Sequence, residues 1–131
     1  MEPFAYHVYL CTQEKPEGMT SCSTNGCAAV LDTMRATLRA AGLDDSVQVT
    51  TCGSLGLCER GPNMVVYPEG VWYSGVHVED VEEIVREHFK AGRPVARLLS
   101  GEPVALKAEI LENKRRYLAA MKARVEAAAK A

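Results

Sequence analysis

Five cysteines, at positions 11, 22, 27, 52 and 58 of this 131-residue chain, are the residues whose type and spacing could do chemistry. Thiolates hold iron-sulfur clusters or zinc, and closely paired thiols exchange disulfides. A disulfide exchanger needs Cys-x-x-Cys, which is absent. Zinc fits less well, because structural zinc sites take closely spaced cysteine pairs, whereas the steps here are 11, 5, 25 and 6 residues. Four cysteines carried by separate turns, Cys11, Cys22, Cys52 and Cys58, suit a cluster that must be wrapped from several sides. Cys27 reads as the inert one, a small apolar side chain near a helix start.

The elements that must position these thiols follow from the flanking patterns. Residues 6–10 and 47–51 are β-branched and aromatic runs, each read as a strand that delivers a cysteine to its end, Cys11 and Cys52. Residues 12–21 turn polar around Pro16 and Gly18, a loop leading to Cys22. Val30, Leu31, Met34 and Leu38 recur at helical spacing from about Asn25 to Gly42, with Ser23, Thr24 or Asn25 as candidate N-cap. Residues 52–62 form a glycine-rich loop containing Cys58, where Gly53, Gly56 and Gly61 could take positive φ and turn N–H groups toward sulfur. Residues 64–67 and 71–74, separated by Pro68-Glu69-Gly70, predict a β-hairpin. Val81, Ile84, Val85 and Phe89 then mark a second helix over 78–89.

Strand, helix, strand, hairpin and closing helix describe an α/β sandwich of thioredoxin-like kind, a mixed sheet with helices. Residues 1–105 are read as that domain. Residues 106–131 are read as a C-terminal helical extension, helical over 106–128, with Ile110, Leu111, Tyr117, Leu118, Met121 and Val125 on one apolar stripe that packs on its own domain or a second subunit.

Composition narrows the function classes. Residues 1–105 hold 8 Lys or Arg against 14 Asp or Glu, and residues 106–131 hold 7 against 3. An acidic body with basic residues scattered among glutamates argues against nucleic acid as partner. No run approaches the roughly 20 apolar residues of a membrane span, and residues 1–10 lack a secretory pattern, so a cytoplasmic protein is expected. In that compartment, five cysteines point to metal or redox chemistry rather than structural disulfides.

Cys11 after a strand, Thr20-Ser21-Cys22-x-x-x-Gly26 opening a helix, Cys58-x-x-Gly61-Pro62, and the hairpin from Val65-Val66-Tyr67-Pro68-Glu69-Gly70 to Val71-Trp72-Tyr73 resemble the thioredoxin-like, or Shethna-type, 2Fe-2S ferredoxins over residues 4–99. The resemblance implies a homodimer with one 2Fe-2S cluster per subunit, and a domain shared with the small iron-sulfur subunit of respiratory NADH dehydrogenase. By position it makes Cys11, Cys22 and Cys58 ligands and leaves out Cys27, where the family commonly has serine. The family usually places three residues between its last two cysteines, which would put one at Ser54, whereas five residues separate Cys52 from Cys58. Cys52 is the best candidate for the fourth ligand, with Ser54 oxygen and Cys27 as alternatives.

The expected function is therefore one-electron transfer between a reductase and an acceptor enzyme, with no substrate transformed. The resemblance offers nitrogenase- or hydrogenase-linked partners. Rival readings are a redox-sensing module acting through the C-terminal helix, and a subunit of a larger oxidoreductase. Glu79, Asp80, Glu82, Glu83 and Glu87 form an acidic helix face that is either solvated or steers a basic partner. Trp72 and Tyr73 are read as core or dimer-interface residues, and His7 and His88 as structural or solvent-facing.

Overall fold

The computed structural model describes residues 3–11, 26–53, 55–57 and 60–130. Four strands form one sheet in the order β2-β1-β3-β4, with β1 at Tyr6–Cys11, β2 at Val47–Cys52, β3 at Met64–Tyr67 and β4 at Val71–Tyr73. β1 and β2 run parallel and are joined through helix α1, Cys27–Ala40, while β3 pairs antiparallel with both β1 and β4. A parallel pair needs a crossover and an antiparallel pair only a turn. The 42–46 connection after α1 and the 68–70 turn obey that division.

Alternation along β1 buries Val8 and Leu10, and register sets Val8 beside Val49 and Val66, and Leu10 beside Met64. Val30, Met34 and Leu38 of α1 cover these residues, so the helical spacing of the sequence and the two-residue spacing of the strands meet in one core. Burying each such side chain stabilises the fold by roughly 1.5–3 kcal/mol. The opposite sheet face carries an aromatic row, with His7 and Tyr9 half-buried and Tyr67 exposed. His7 stacks on Tyr9 at 4.5 Å, and Tyr9 meets the edge of Tyr67 at 5.8 Å.

Two local features differ from expectation. The N-cap of α1 is Gly26 at φ 87°, with no side-chain cap, rather than a residue of 23–25. The C-terminal end behaves as read, Gly42 taking φ 70° just beyond Ala41. The second helical segment changes winding, from a 3-10 turn at Val78–Asp80 through α2, Val81–Glu83, to π-type turns at Ile84–Lys90. Its inward residues, Val81, Ile84, Val85 and Phe89, are those the spacing marked. The peptide bonds Gly61-Pro62 and Tyr67-Pro68 are cis.

The chain divides into two compact units, residues 1–100 and 101–131. The second contains helix α3, Pro103–Lys130, which begins three residues before the predicted start and ends two after the predicted end. Its apolar positions separate into two rows. Ile110, Tyr117 and Met121 are half-buried, whereas Val104, Leu111, Leu118 and Val125 are exposed at steps of seven. Among the described residues no helix is long and apolar enough to cross a membrane.

Candidate metal centre

β1 and β2 end level with each other, and the last pair of their register is Cys11 with Cys52. Two neighbouring parallel strands, about 4.8 Å apart, therefore present two thiols side by side at one end of the sheet. Cys11 is fully buried, and its N–H donates to the Asn63 carbonyl at 3.1 Å, which fixes it against the start of β3. Cys52 is half-buried. Its thiol pKa is raised, first by burial and then by the neighbouring Cys11. Such a thiol keeps its proton until a cation replaces it, so metal loading here would release protons.

Cys27 joins this pair. As the first residue of α1 it is buried against Cys11, with Cys52 and Leu55 packed on the two of them. The sequence pattern places Cys27 near the start of a helix beginning about Asn25; with Gly26 as N-cap, Cys27 is the first residue of α1, at the positive end of the helix. Among the described residues no three His, Cys, Asp or Glu side chains converge as ligands of one ion. Cys11, Cys27 and Cys52 are thus packed neighbours rather than a preformed three-sulfur site. Cys22, Cys58 and Ser54 lie outside the described residues.

The segment after β2 is held from within. Leu57 is fully buried, and its carbonyl accepts the Arg60 N–H at 2.8 Å and the Asn63 side-chain amide at 2.6 Å. Arg60 is tied outward, its carbonyl accepting the Gly75 N–H at 2.7 Å and its guanidinium donating to Ser100 O at 2.5 Å. Of the three loop glycines expected to take positive φ, Gly56 does so at 85°, and Gly53 and Gly61 do not. Asn63 and Leu57 were missed by sequence reading. A buried asparagine after proline has no pattern that separates it from an ordinary turn residue.

Comparison with known proteins bears on what such a thiol group is for. No protein-family model matches the chain. A 2Fe-2S ferredoxin of Clostridium pasteurianum is 38% identical over 95 residues, covering 71% of this chain and 93% of the relative. A 2Fe-2S ferredoxin of Aquifex aeolicus (strain VF5) is 39% identical over 102 residues, covering 74% and 92%. The crystal structure of the wild-type thioredoxin-like [2Fe-2S] ferredoxin from Aquifex aeolicus superposes with a TM-score of 0.70 at 38% identity, covering 74% of this chain and 97% of that one.

This chain belongs to the thioredoxin-like 2Fe-2S ferredoxins. Ferredoxins are electron carriers rather than enzymes, which agrees with a site built from thiols. The donor set fits the family's group, since iron-sulfur clusters are held by thiolates from separate chain segments, and β1 and β2 supply two on adjacent strands. The family resemblance carried by the hairpin motif corresponds to β3 and β4, whose register pairs Val65 with Trp72 and Val66 with Val71.

Proposed function

We propose that this ferredoxin holds one 2Fe-2S cluster on Cys11, Cys22, Cys52 and Cys58 and carries single electrons between redox proteins. The observation that supports it most is the Cys11-Cys52 register pair at the shared end of two parallel strands in a chain of this family. When bound, such a cluster supplies reversible one-electron chemistry. The chain's own part is to hold sulfur in place, to limit water and to offer a docking face. Leu55 packs on the buried Cys11–Cys27 pair, and the Cys11 side chain faces no solvent. Cys27 remains outside the ligand set, although its place beside Cys11 makes it the alternative to Cys52.

Homodimerisation is part of the proposal, and the aromatic sheet face of His7, Tyr9, Tyr67 and Trp72 is an apolar surface suited to it. Residues 1–105 form the ferredoxin domain and 106–131 its helical extension. The cytoplasm is the compartment we assign, with a reductase and an acceptor enzyme as partners, nitrogenase- or hydrogenase-linked.

The test is anaerobic purification with visible absorption, iron and sulfide analysis, and EPR after dithionite, on wild type and Cys52→Ala. Two irons and two sulfides per chain, with a signal near g 2 altered or lost in Cys52→Ala, is the expected result. A colourless, zinc-containing protein would overturn the function, and an unaltered cluster in Cys52→Ala would move the fourth ligand to Cys27 or Ser54. A second reading, a sensing or oxidoreductase-subunit module, is favoured by the exposed row Val104, Leu111, Leu118 and Val125 on α3. An isolated chain that aggregates on size exclusion, rather than eluting as a dimer, would support it.

A further inference from the structure

One residue touches two arms of the thiol site at once. Asn63 sits at the foot of β3 with almost no exposure. Its main-chain carbonyl accepts the N–H of Cys11 at 3.1 Å. Its side-chain amide donates to the carbonyl of Leu57 at 2.6 Å, and Leu57 is the residue immediately before Cys58. Its own Oδ1 is buried and has no hydrogen-bond donor, the one such side-chain atom among the described residues.

That unsatisfied oxygen bears on the role of the side chain. A buried acceptor without a donor costs stability, and an apolar side chain of similar volume would avoid the cost. General stability therefore does not account for an asparagine here. What the side chain provides that leucine could not is the N–H donor to Leu57 O. That carbonyl already receives the Arg60 N–H at 2.8 Å, so the second donor does not rescue an orphan. It fixes a direction: two donors, one from the middle and one from the far end of the 57–63 segment, hold the Leu57 carbonyl, and with it the point from which the chain continues to Cys58.

We infer that Asn63 is a positioning residue of the cluster site, tying the Cys11 end of β1 to the Leu57 carbonyl from which the chain continues to Cys58. The inference rests on the reading that both cysteines are ligands. Asn63 touches no sulfur in this role and is no ligand. It links a strand end, through its main chain, to a loop, through its side chain. A change at Asn63 should therefore alter how the cluster is held before it alters whether the domain folds.

The experiment compares wild type, Asn63→Leu and Asn63→Ala, with Asp80→Asn as a remote structural control. Each is purified anaerobically and read by iron and sulfide content, by EPR g-values after dithionite, and by the half-time of bleaching in excess iron chelator. Asn63→Leu is expected to hold two irons and two sulfides, with shifted g-values and bleaching at least about five-fold faster. The control should melt lower while keeping wild-type g-values and bleaching. Wild-type g-values and bleaching in both Asn63 variants would overturn the inference while leaving the cluster itself established. Failure of both variants to fold would also overturn it, making Asn63 a general structural residue. A wild-type protein without iron would instead sink the functional reading on which the inference stands.

Discussion

Cys11 and Cys52 reach the end of the sheet together because two β-branched runs of equal length stop at a cysteine, and that much could be read in the sequence. The packing of Cys27 against Cys11 could not, because it depends on α1 starting at Gly26, and a glycine N-cap leaves no side-chain signature to mark the start. If Cys27 is only a packed neighbour, Cys27→Ala keeps two irons and two sulfides per chain, and metal analysis beside Cys52→Ala reads the difference directly. A second buried group was read only as structural or solvent-facing. His88 is fully buried, with Nδ1 at 2.8 Å from the Tyr73 hydroxyl and Nε2 at 3.1 Å from Glu69 Oε1, and the Tyr73 oxygen also accepts the Val95 N–H at 2.9 Å. Burial, opposed by that N–H and assisted by Glu69, pushes the Tyr73 pKa up to about 12. The raised folded value means that this contribution is complete below pH of about 10 and is lost as pH rises toward 12. Tyr73→Phe leaves two buried partners short of a bond and is expected to cost about 1–3 kcal/mol. Thermal melts of both proteins from pH 8 to about 11.5 should converge as the wild-type advantage disappears.

Residues 78–90 show what periodicity reveals about an element and what it does not. Val81, Ile84, Val85 and Phe89 face inward as their spacing requires. Over so few turns, tighter or wider winding keeps the same residues inside, so the 3-10 and π-type turns left no trace in the pattern. The acidic face of this segment is also less available than its composition implies. Arg97 pairs with Asp80 at 2.8 Å and with Glu83, Arg93 binds Glu87 at 2.9 Å, and Arg86 lies 3.7 Å from the exposed Glu82, so the carboxylates of this face are largely matched by arginines. Burial disfavours ionised Asp80, but the His77 N–H and Arg97 more than offset it, and the carboxyl pKa falls. A lowered folded pKa gives stability that is complete above the unfolded value of about 3.9 and is lost as pH falls through the folded one. Asp80→Asn should therefore lower the melting temperature at pH 7, and the gap to wild type should close as pH falls through the lowered folded pKa. At the other helix, Gly26 has open space around its absent Cβ but a φ of 87°. Gly26→Ala is expected to destabilise by about 1–2 kcal/mol through backbone strain alone, read by urea unfolding with an unchanged m-value.

On the scale of the molecule, the two compact units divide the labour unequally. The cysteines, the sheet and the clustered core all precede residue 101, while α3 stands as a separate unit of Ala, Leu, Glu, Lys and Arg. The sequence made the helix legible through composition but drew its apolar residues as a single stripe, whereas the structure leaves one row, Val104, Leu111, Leu118 and Val125, exposed. Steps of seven keep that row on one side of the helix, because 3.6 residues per turn drifts only about 20° per heptad. Lys107, Lys114, Arg115 and Lys122 lie at positions flanking the row, so an identical helix laid against it would meet like charge. Removal of residues 101–131 separates the remaining roles. If the cluster is held entirely by the first unit, the truncated chain keeps two irons and two sulfides and melts close to the full chain. If the sheet face of His7, Tyr9, Tyr67 and Trp72 carries the dimer, the truncated chain also stays dimeric in sedimentation equilibrium. Loss of the dimer with an intact cluster would move the association surface to α3. Loss of the cluster itself would show that the thiol site needs the second unit, against the division at residue 100.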